Sequence, residues 1–365
     1  MENSNLESFK DSSSLSISFN QDYSCFSIGT QRGFKIFPTY PCNDGYEKIF
    51  YGGIKICEML NKSNFLALVG GGRVPKYCNK KVVIYNDFLE KIESEFKFTI
   101  PILNIKIKKD LIFIVCEKKI YVFNLETCQN IDSLDTTENK KGLIAISNNP
   151  NYTIMAHPIE FEDDVSKGYV CIKNFKTNKY FPLLVQEDSV SSMCMDYNGL
   201  LLATANEKGT LIRIHSCDDG TLLQECKRGK EKAEIWYMCF DLKYNYIGAT
   251  SDRGTIHIWT LDSIVKKIKK NNSNDDFVHI EKKDSNSSIK IKEESNDETI
   301  IKIIKNKNYR SDSSFAKIRI NYQKCIFCFK PRNIVVIITY DGKYFLASID
   351  PQKGGDCIFK KVRDL

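Results

Sequence analysis

The chain has 365 residues, with 53 lysines and arginines against 46 aspartates and glutamates, a formal net charge of +7. That excess favours anionic partners only weakly, and solubility explains it as well as a nucleic-acid or membrane partner would. Its 14 cysteines are scattered along a chain too long to need disulfide staples, so a reduced, cytoplasmic protein is expected. The polar, acidic start MENSNLESFKDSSS is expected to be neither a signal nor a transit peptide. No run of about 18 apolar residues occurs, so no transmembrane helix is expected.

Short apolar runs rich in Ile, Val, Phe and Tyr recur between turn residues. In order they are SLSISF (14–19), CFSIGT (25–30), GFKIF (33–37), FLALVG (65–70), KVVIY (81–85), LIFIVC (111–116), KIYVF (119–123) and YVCIKNF (169–175). Helix-length amphipathic periodicity is nearly absent, and the chain reads as all-β. Gly70, Gly71 and Gly72 lack a following helix and a Gly-Lys-Ser/Thr ending, so a tight blade turn is expected there rather than a phosphate loop.

Farther on, ATANEKGTLIRIH (203–215) and ATSDRGTIHIWTL (249–261) are copies of one another. Gly209 aligns with Gly254, Thr210 with Thr255, Lys208 with Arg253 and Glu207 with Asp252, an offset of 45 residues. A period of roughly 40–45 with short strands and a Gly-Thr turn is the mark of propeller blades. A single WD40-like, seven-bladed β-propeller over 1–365 is expected. Its blades fall near 12–50, 52–95, 97–135, 138–185, 186–228, 230–325 and 326–365. Between the two copies stand Lys227 and Arg228. Neighbouring strand residues point to opposite faces, so the two cations predict two anion sites on neighbouring blades.

The sixth blade is too long by the tract 262–310, dense in Lys, Asn, Ser and Glu. Such a composition cannot bury enough apolar surface to offset its ordering entropy, which predicts a long disordered insertion. Within it Ile300, Ile301, Ile303 and Ile304 stand beside Lys302 and Lys305. That pattern suits a basic amphipathic piece facing an anionic bilayer, and low-complexity bias produces it equally well. Beyond it come NIVVIITY (333–340) and the C-x-x-C of Cys325 and Cys328, expected to be structural thiols without zinc. His157, His215 and His279 are expected as ordinary surface or rim residues. No H-E-x-x-H, nucleophile elbow or carboxylate pair appears, so no metal, cofactor or catalytic activity is expected.

These motifs closely resemble the PROPPINs, the seven-bladed β-propellers of autophagy that bind polyphosphoinositides. SFNQDYSCFSIGTQRGFKIF (18–37) resembles that family's first blade, and SNFLALVGGGRVPKYCNKKVVIYND (63–87) its second, in the shorter subgroup with the ALVGGG signature. GLIAIS (142–147), LLATANEKGTLIRI (201–214) and SDRGTIHIW (251–259) are similar to the fourth, fifth and sixth. SSFAKIRI (313–320) and YDGKYFLASID (340–350) resemble the closing stretch. The family's Phe-Arg-Arg-Gly tetrad is matched by Cys226, Lys227, Arg228 and Gly229.

The resemblance implies a second lipid site made of Arg228, Ser251, Arg253, Thr255 and His257. It implies a first site made of Lys227, Thr204, Lys208, Thr210 and Arg213. The first is expected to be weaker. Lysine lacks the planar fork that grips phosphate, and the sequence Val185-Gln186-Glu187-Asp188 lacks the family's histidine. The implied role is a non-enzymatic effector of phosphatidylinositol 3-phosphate or the 3,5-bisphosphate on phagophore, autophagosomal, endosomal or vacuolar membranes. The implied partner is the large autophagy lipid-transfer protein. Asn20 and Asp22 match positions tied to its docking, and capping a blade turn would use the same residues. A monomer with no nucleic-acid partner is expected, and a plain WD-repeat scaffold for proteins is the alternative.

Overall fold

The computed structural model describes residues 14–161, 164, 166–262, 264, 311–321 and 324–365. Blade 1 contains β1 (Ser16–Phe19), β2 (Cys25–Thr30), β3 (Gly33–Pro38) and β4 (Tyr46–Ile49). Blade 2 contains β5 (Ile54–Met59), β6 (Phe65–Gly70), β7 (Lys81–Asn86) and β8 (Lys91–Lys97). Blade 3 is β9 (Asn104–Ile107), β10 (Leu111–Val115), β11 (Lys119–Asn124) and β12 (Asn130–Asp135). Blade 4 is β13 (Ala145–Ile146), β14 (Ile154–Ile159), β15 (Gly168–Asn174) and β16 (Lys179–Gln186). Blade 5 is β17 (Val190–Met195), β18 (Leu201–Asn206), β19 (Leu211–Ser216) and β20 (Leu222–Lys227). Blade 6 begins with β21 (Ile235–Phe240), β22 (Tyr246–Ser251) and β23 (Thr255–Thr260). After the insertion come β24 (Asp312–Ser313) and β25 (Ala316–Arg319), the latter completing blade 6. Blade 7 holds β26 (Cys325–Lys330), β27 (Ile334–Thr339), β28 (Lys343–Ser348) and β30 (Ile358–Asp364), with β29 (Gly355–Asp356) between the last two. The fold is an all-β propeller of seven sheets.

Within each sheet successive strands pair antiparallel, so residues two apart share a face. Both faces of each blade are buried against neighbours, which is why the strands read as apolar runs rather than as clean alternation. Hydrophobic clusters join blade 1 to 2, 2 to 3, 3 to 4, 4 to 5 and 5 to 6, and one large cluster spans 6, 7 and 1. A truncation such as Ile256→Ala in that large cluster removes a wholly buried side chain and costs about 2–5 kcal/mol. Blade 7 shares no strand with blade 1. Packing closes that seam, together with the Tyr344 hydroxyl donating to the Thr39 carbonyl at 2.7 Å and the Arg363 guanidinium on Asp44.

Two short parallel pairings instead fasten other seams. After the insertion, β24 lies on the outer strand of blade 5, with Cys226 beside Asp312 and Lys227 beside Ser313. From blade 7, β29 lies on the outer strand of blade 6, with Lys317 beside Asp356.

Several expectations change. Residues 70–72 do not make a tight turn. The loop 71–80 folds back on the start of β5, where Gly53 donates to Val74 and Lys76 donates to Gly53. Glycine at 70 permits this, since a Cβ there would stand 1.7 Å from the Tyr77 carbonyl oxygen. His157 and His215 are not rim residues, being 2% and 1% exposed. Burial pushes their pKa values down to about 4 and about 3, and His279 lies outside the described residues. Cys325 and Cys328 are both buried in the cluster of blades 6, 7 and 1 with free thiols. Among the described residues no group of three His, Cys, Asp or Glu is placed to hold a metal ion. No helix among them is long and apolar enough to cross a membrane.

Candidate rim sites on blades 5 and 6

The two faces of blade 5 are identified by their cores. Ile212, Ile214 and Cys226 pack with Trp259 and Ala249 of blade 6, whereas Leu202 packs with Val170 of blade 4. Lys227 pairs with Leu211 across the strands, and Cys226 with Ile212. Lys227 therefore faces blade 4. Arg228, one residue on, continues the ladder by donating its N–H to the Thr210 carbonyl at 2.9 Å and turns to blade 6. The alternation expected from sequence holds here.

Around Arg228 the second predicted set comes together in part. Its Nε donates to the Gly209 carbonyl at 2.9 Å, and its Nη2 donates to the Glu231 carbonyl. Burial draws its pKa below the ordinary arginine value, opposed by Asp252, and an arginine remains charged regardless. Thr255 and His257 lie on the face of blade 6 that carries Ala249 and Trp259 towards blade 5. Cross-strand, Thr255 stands opposite Arg319 and His257 opposite Lys317. His257 Nδ1 lies 3.3 Å from the Ser314 hydroxyl. Its pKa falls to about 4, first through burial and then through Lys317, Arg228 and Arg319. Three cations thus converge on one imidazole.

Ser251 and Arg253 do not continue a simple alternation. The hairpin turns at Asp252–Gly254, with Gly254 at φ 66° and its N–H donating to Ser251. Ser251 is 2% exposed. The Arg253 guanidinium folds back to donate to the Lys232 carbonyl at 3.1 Å and to pair with Glu231 at 3.5 Å. Sequence reasoning missed Ser314, Lys317 and Arg319, which enter from beyond the insertion. Just outside this cleft, where the chain departs at Asp262 and returns at Asp312, an open hollow of ≈ 540 Å³ is lined also by Gln224, Thr260 and Ser313.

The first predicted set is differently placed. Thr204 is wholly buried and receives the Gln186 amide on its hydroxyl at 3.0 Å. Arg213 donates from Nε to Glu225 at 2.8 Å and lies 3.7 Å from Glu187. Lys208 pairs with Asp188 at 2.9 Å. Thr210 is grouped with Lys227 from the sequence, but its backbone stands opposite Arg228, beside the other cleft. Lys227 is exposed and, unlike Lys208 and Arg213, has no side-chain ion pair among the described residues.

At the hub, Asn20 is 2% exposed and spends its side chain on Ser24, Cys25 and the Asn61 carbonyl. Its place is therefore in the turn, whereas Asp22 is exposed and caps Ser24. Between them Gln21, unnoticed in the sequence, donates to the carbonyls of Met59 and Ile107 at 2.8 Å each, and its own carbonyl receives Asn148. One side chain and its backbone tie blades 1 to 4. Ile300, Ile301, Ile303 and Ile304 lie outside the described residues.

The molecule is a seven-bladed propeller with a cation-lined cleft at the rim between blades 5 and 6. The chain belongs to the PROPPIN family, whose model matches residues 13–365. Autophagy-related protein 18e of Arabidopsis thaliana is 28% identical over 351 residues, which cover 94% of this chain and 86% of that protein. Autophagy-related protein 18 of Dictyostelium discoideum is 29% identical over 251 residues, covering 68% and 65% respectively. Among solved structures, Kluyveromyces lactis Hsv2 with its complete loop 6CD superposes with a TM-score of 0.70 at 17% identity, covering 96% of this chain and 98% of that one. A complex of KlAtg21 with the coiled-coil of AgAtg16 gives 0.70 at 20% identity, covering 97% and 99%. At those identities the structures establish the fold.

Proposed function

We propose that this protein is a non-enzymatic effector that recognises 3-phosphorylated phosphoinositides at the blade 5–6 rim of the propeller and brings autophagy machinery to the membrane that carries them. The observation that supports this best is the convergence of Arg228, Lys317 and Arg319 on His257 and Thr255. A phosphate needs cations and neutral donors together, and a fork-shaped guanidinium, a hydroxyl and an imidazole supply both. Membership of the PROPPIN family and the autophagy-related names of the relatives point the same way. Phosphatidylinositol 3-phosphate and the 3,5-bisphosphate are the proposed ligands, on phagophore, endosomal or vacuolar membranes.

Partner recruitment is assigned to blade 1, where Asp22 is exposed on the β1–β2 turn. The autophagy lipid-transfer protein is the proposed partner. The insertion leaves and re-enters beside the cleft, at Asp262 and Asp312, so a headgroup held there would bring residues 265–310 to the bilayer.

The test is flotation on liposomes containing phosphatidylinositol 3-phosphate, the 3,5-bisphosphate or phosphatidylserine at matched charge, at low and physiological salt. Retention on the inositides at physiological salt, with loss from phosphatidylserine, is expected, because diffuse attraction is screened. Equal retention on all three reduces the chain to a generic basic surface. No retention on any leaves the protein-only scaffold.

A further inference from the structure

Resting on that function, we propose that the cleft between blades 4 and 5 is closed by this chain's own carboxylates, so that each propeller captures a single headgroup. Glu187, Asp188 and Glu225 would be the residues that decide it. They pair with the cations that a phosphate would need. Glu225 holds Arg213 Nε at 2.8 Å, with both side chains nearly buried at 15% and 13% exposure. Glu187 approaches the same guanidinium at 3.7 Å. Asp188 holds Lys208 at 2.9 Å and is itself fixed by the Asn206 amide at 3.1 Å.

The neutral donors are spent as well. Gln186 donates to both the hydroxyl and the carbonyl of Thr204, at 3.0 and 2.9 Å, and Thr204 has no exposed surface. Arg213 Nη1 is buried without any hydrogen-bond partner, so solvent does not reach it and neither could a headgroup without reorganisation. Lys227 remains open, and Lys208, though 64% exposed, is held by Asp188. A phosphomonoester carrying about −1.5 to −2 charges would meet three carboxylates there. To reach Arg213 it must displace Glu225 and strand a nearly buried charge.

The blade 5–6 cleft has no such lock. Glu231 on Arg253 and Asp356 on Arg319 sit in pairs more than half exposed on both sides, and Asp252 acts on Arg228 without an ion pair to it. Such pairs are weak and exchange readily. Arg228 donates to carbonyls rather than to a carboxylate.

Isothermal titration of the full chain with short-chain soluble phosphatidylinositol 3-phosphate tests this. One binding event per chain is expected, weakened roughly 10- to 150-fold by Arg228→Ala and retained by Lys227→Ala. Glu187→Gln combined with Glu225→Gln is expected to add a second event. Because Glu225→Gln removes the partner of Arg213, Glu187→Gln with Asp188→Asn is made in parallel, and whichever pair keeps the wild-type thermal melt is read. Two events in the wild type, or one that Arg228→Ala leaves at wild-type affinity, would overturn the inference while leaving the function intact. A folded Glu187→Gln/Glu225→Gln variant that stays at one event also overturns it, and where only the Glu187→Gln/Asp188→Asn pair folds the wild-type stoichiometry decides. No binding by the wild type overturns the function, and this inference with it.

Discussion

Lys227 and Arg228 are neighbours in sequence, yet they look out on different surroundings. On the blade 4 side, Arg213 and Lys208 are already matched by Glu225, Glu187 and Asp188. On the blade 6 side, Arg228 and Lys317 have no carboxylate on their side chains among the described residues, and together with Arg319 they crowd His257. The two faces offer similar numbers of cations. What separates them is how the anions are held, Glu225 nearly buried on Arg213 but Glu231 and Asp356 in exposed pairs, so counting basic residues would have ranked the two clefts equally.

The largest expected effect is on headgroup affinity. Arg228→Ala removes a charge-assisted contact worth about 1.5–3 kcal/mol, or roughly 10- to 150-fold in affinity. Lys227→Ala should change soluble headgroup affinity by less than about twofold. Equal losses, read by titration calorimetry, would erase the contrast between the faces.

Next comes the insertion. Deleting 270–308 should leave soluble headgroup affinity unchanged and speed dissociation from liposomes, by about tenfold if the second contact acts through effective concentration. Carrying the deletion on through Ser314 should weaken headgroup affinity as well, because Ser314 stands on His257. Surface plasmon resonance on captured vesicles separates the two variants.

Acid should act on both faces. Burial holds His215 and His257 at about 3 and about 4, below the ordinary imidazole value. As pH falls below about 6.5 the unfolded chain takes up these protons first, so stability is lost from about pH 6.5 down to about pH 4 for His257 and about pH 3 for His215. A depression of two units or more is worth on the order of 3 kcal/mol. Thermal melts across that range measure the loss. Bound phosphate should raise the pKa of His257 and leave that of His215 in place, a difference that imidazole NMR titration with and without ligand would show. Movement of both, or of His215 alone, would put the anion in the wrong cleft.

The smallest effect should be that of Lys227→Arg. Restoring the fork in a cleft closed by Glu225 should alter liposome retention by less than about twofold, and a clear gain would show that the cleft is open.

Much of this was legible in the chain. Short β-branched runs fixed the strand content, and the copied hairpins with Gly209 and Gly254 at their turns revealed the blade period. Both glycines are left-handed, at φ 58° and 66°, as a Gly-Thr hairpin turn requires. The opposed directions of Lys227 and Arg228 followed from strand alternation alone. Lys317 and Arg319 were missed because their strand follows the insertion, far in sequence from the residues they face. Their own signal was present, since AKIRI alternates cations with buried Ala316, Ile318 and Ile320. Burial of His157 and His215 was invisible because local polarity does not report what the neighbouring blade places above it. Thr210 was misgrouped by one position, and Gln21 was overlooked between two residues whose polarity looked more useful.

The two-residue strand β24 also gives the fold a mechanical character. The chain re-enters at Asp312 already laid along the outer strand of blade 5, and a few residues later it becomes the outer strand of blade 6. Hydrogen bonds in these ladders run roughly across the strands. A pull transmitted through the returning end of the insertion therefore meets the pairing of β24 on blade 5 before it reaches the outer strand of blade 6. A propeller tethered to a moving surface at this point would keep its outermost strand seated under tension.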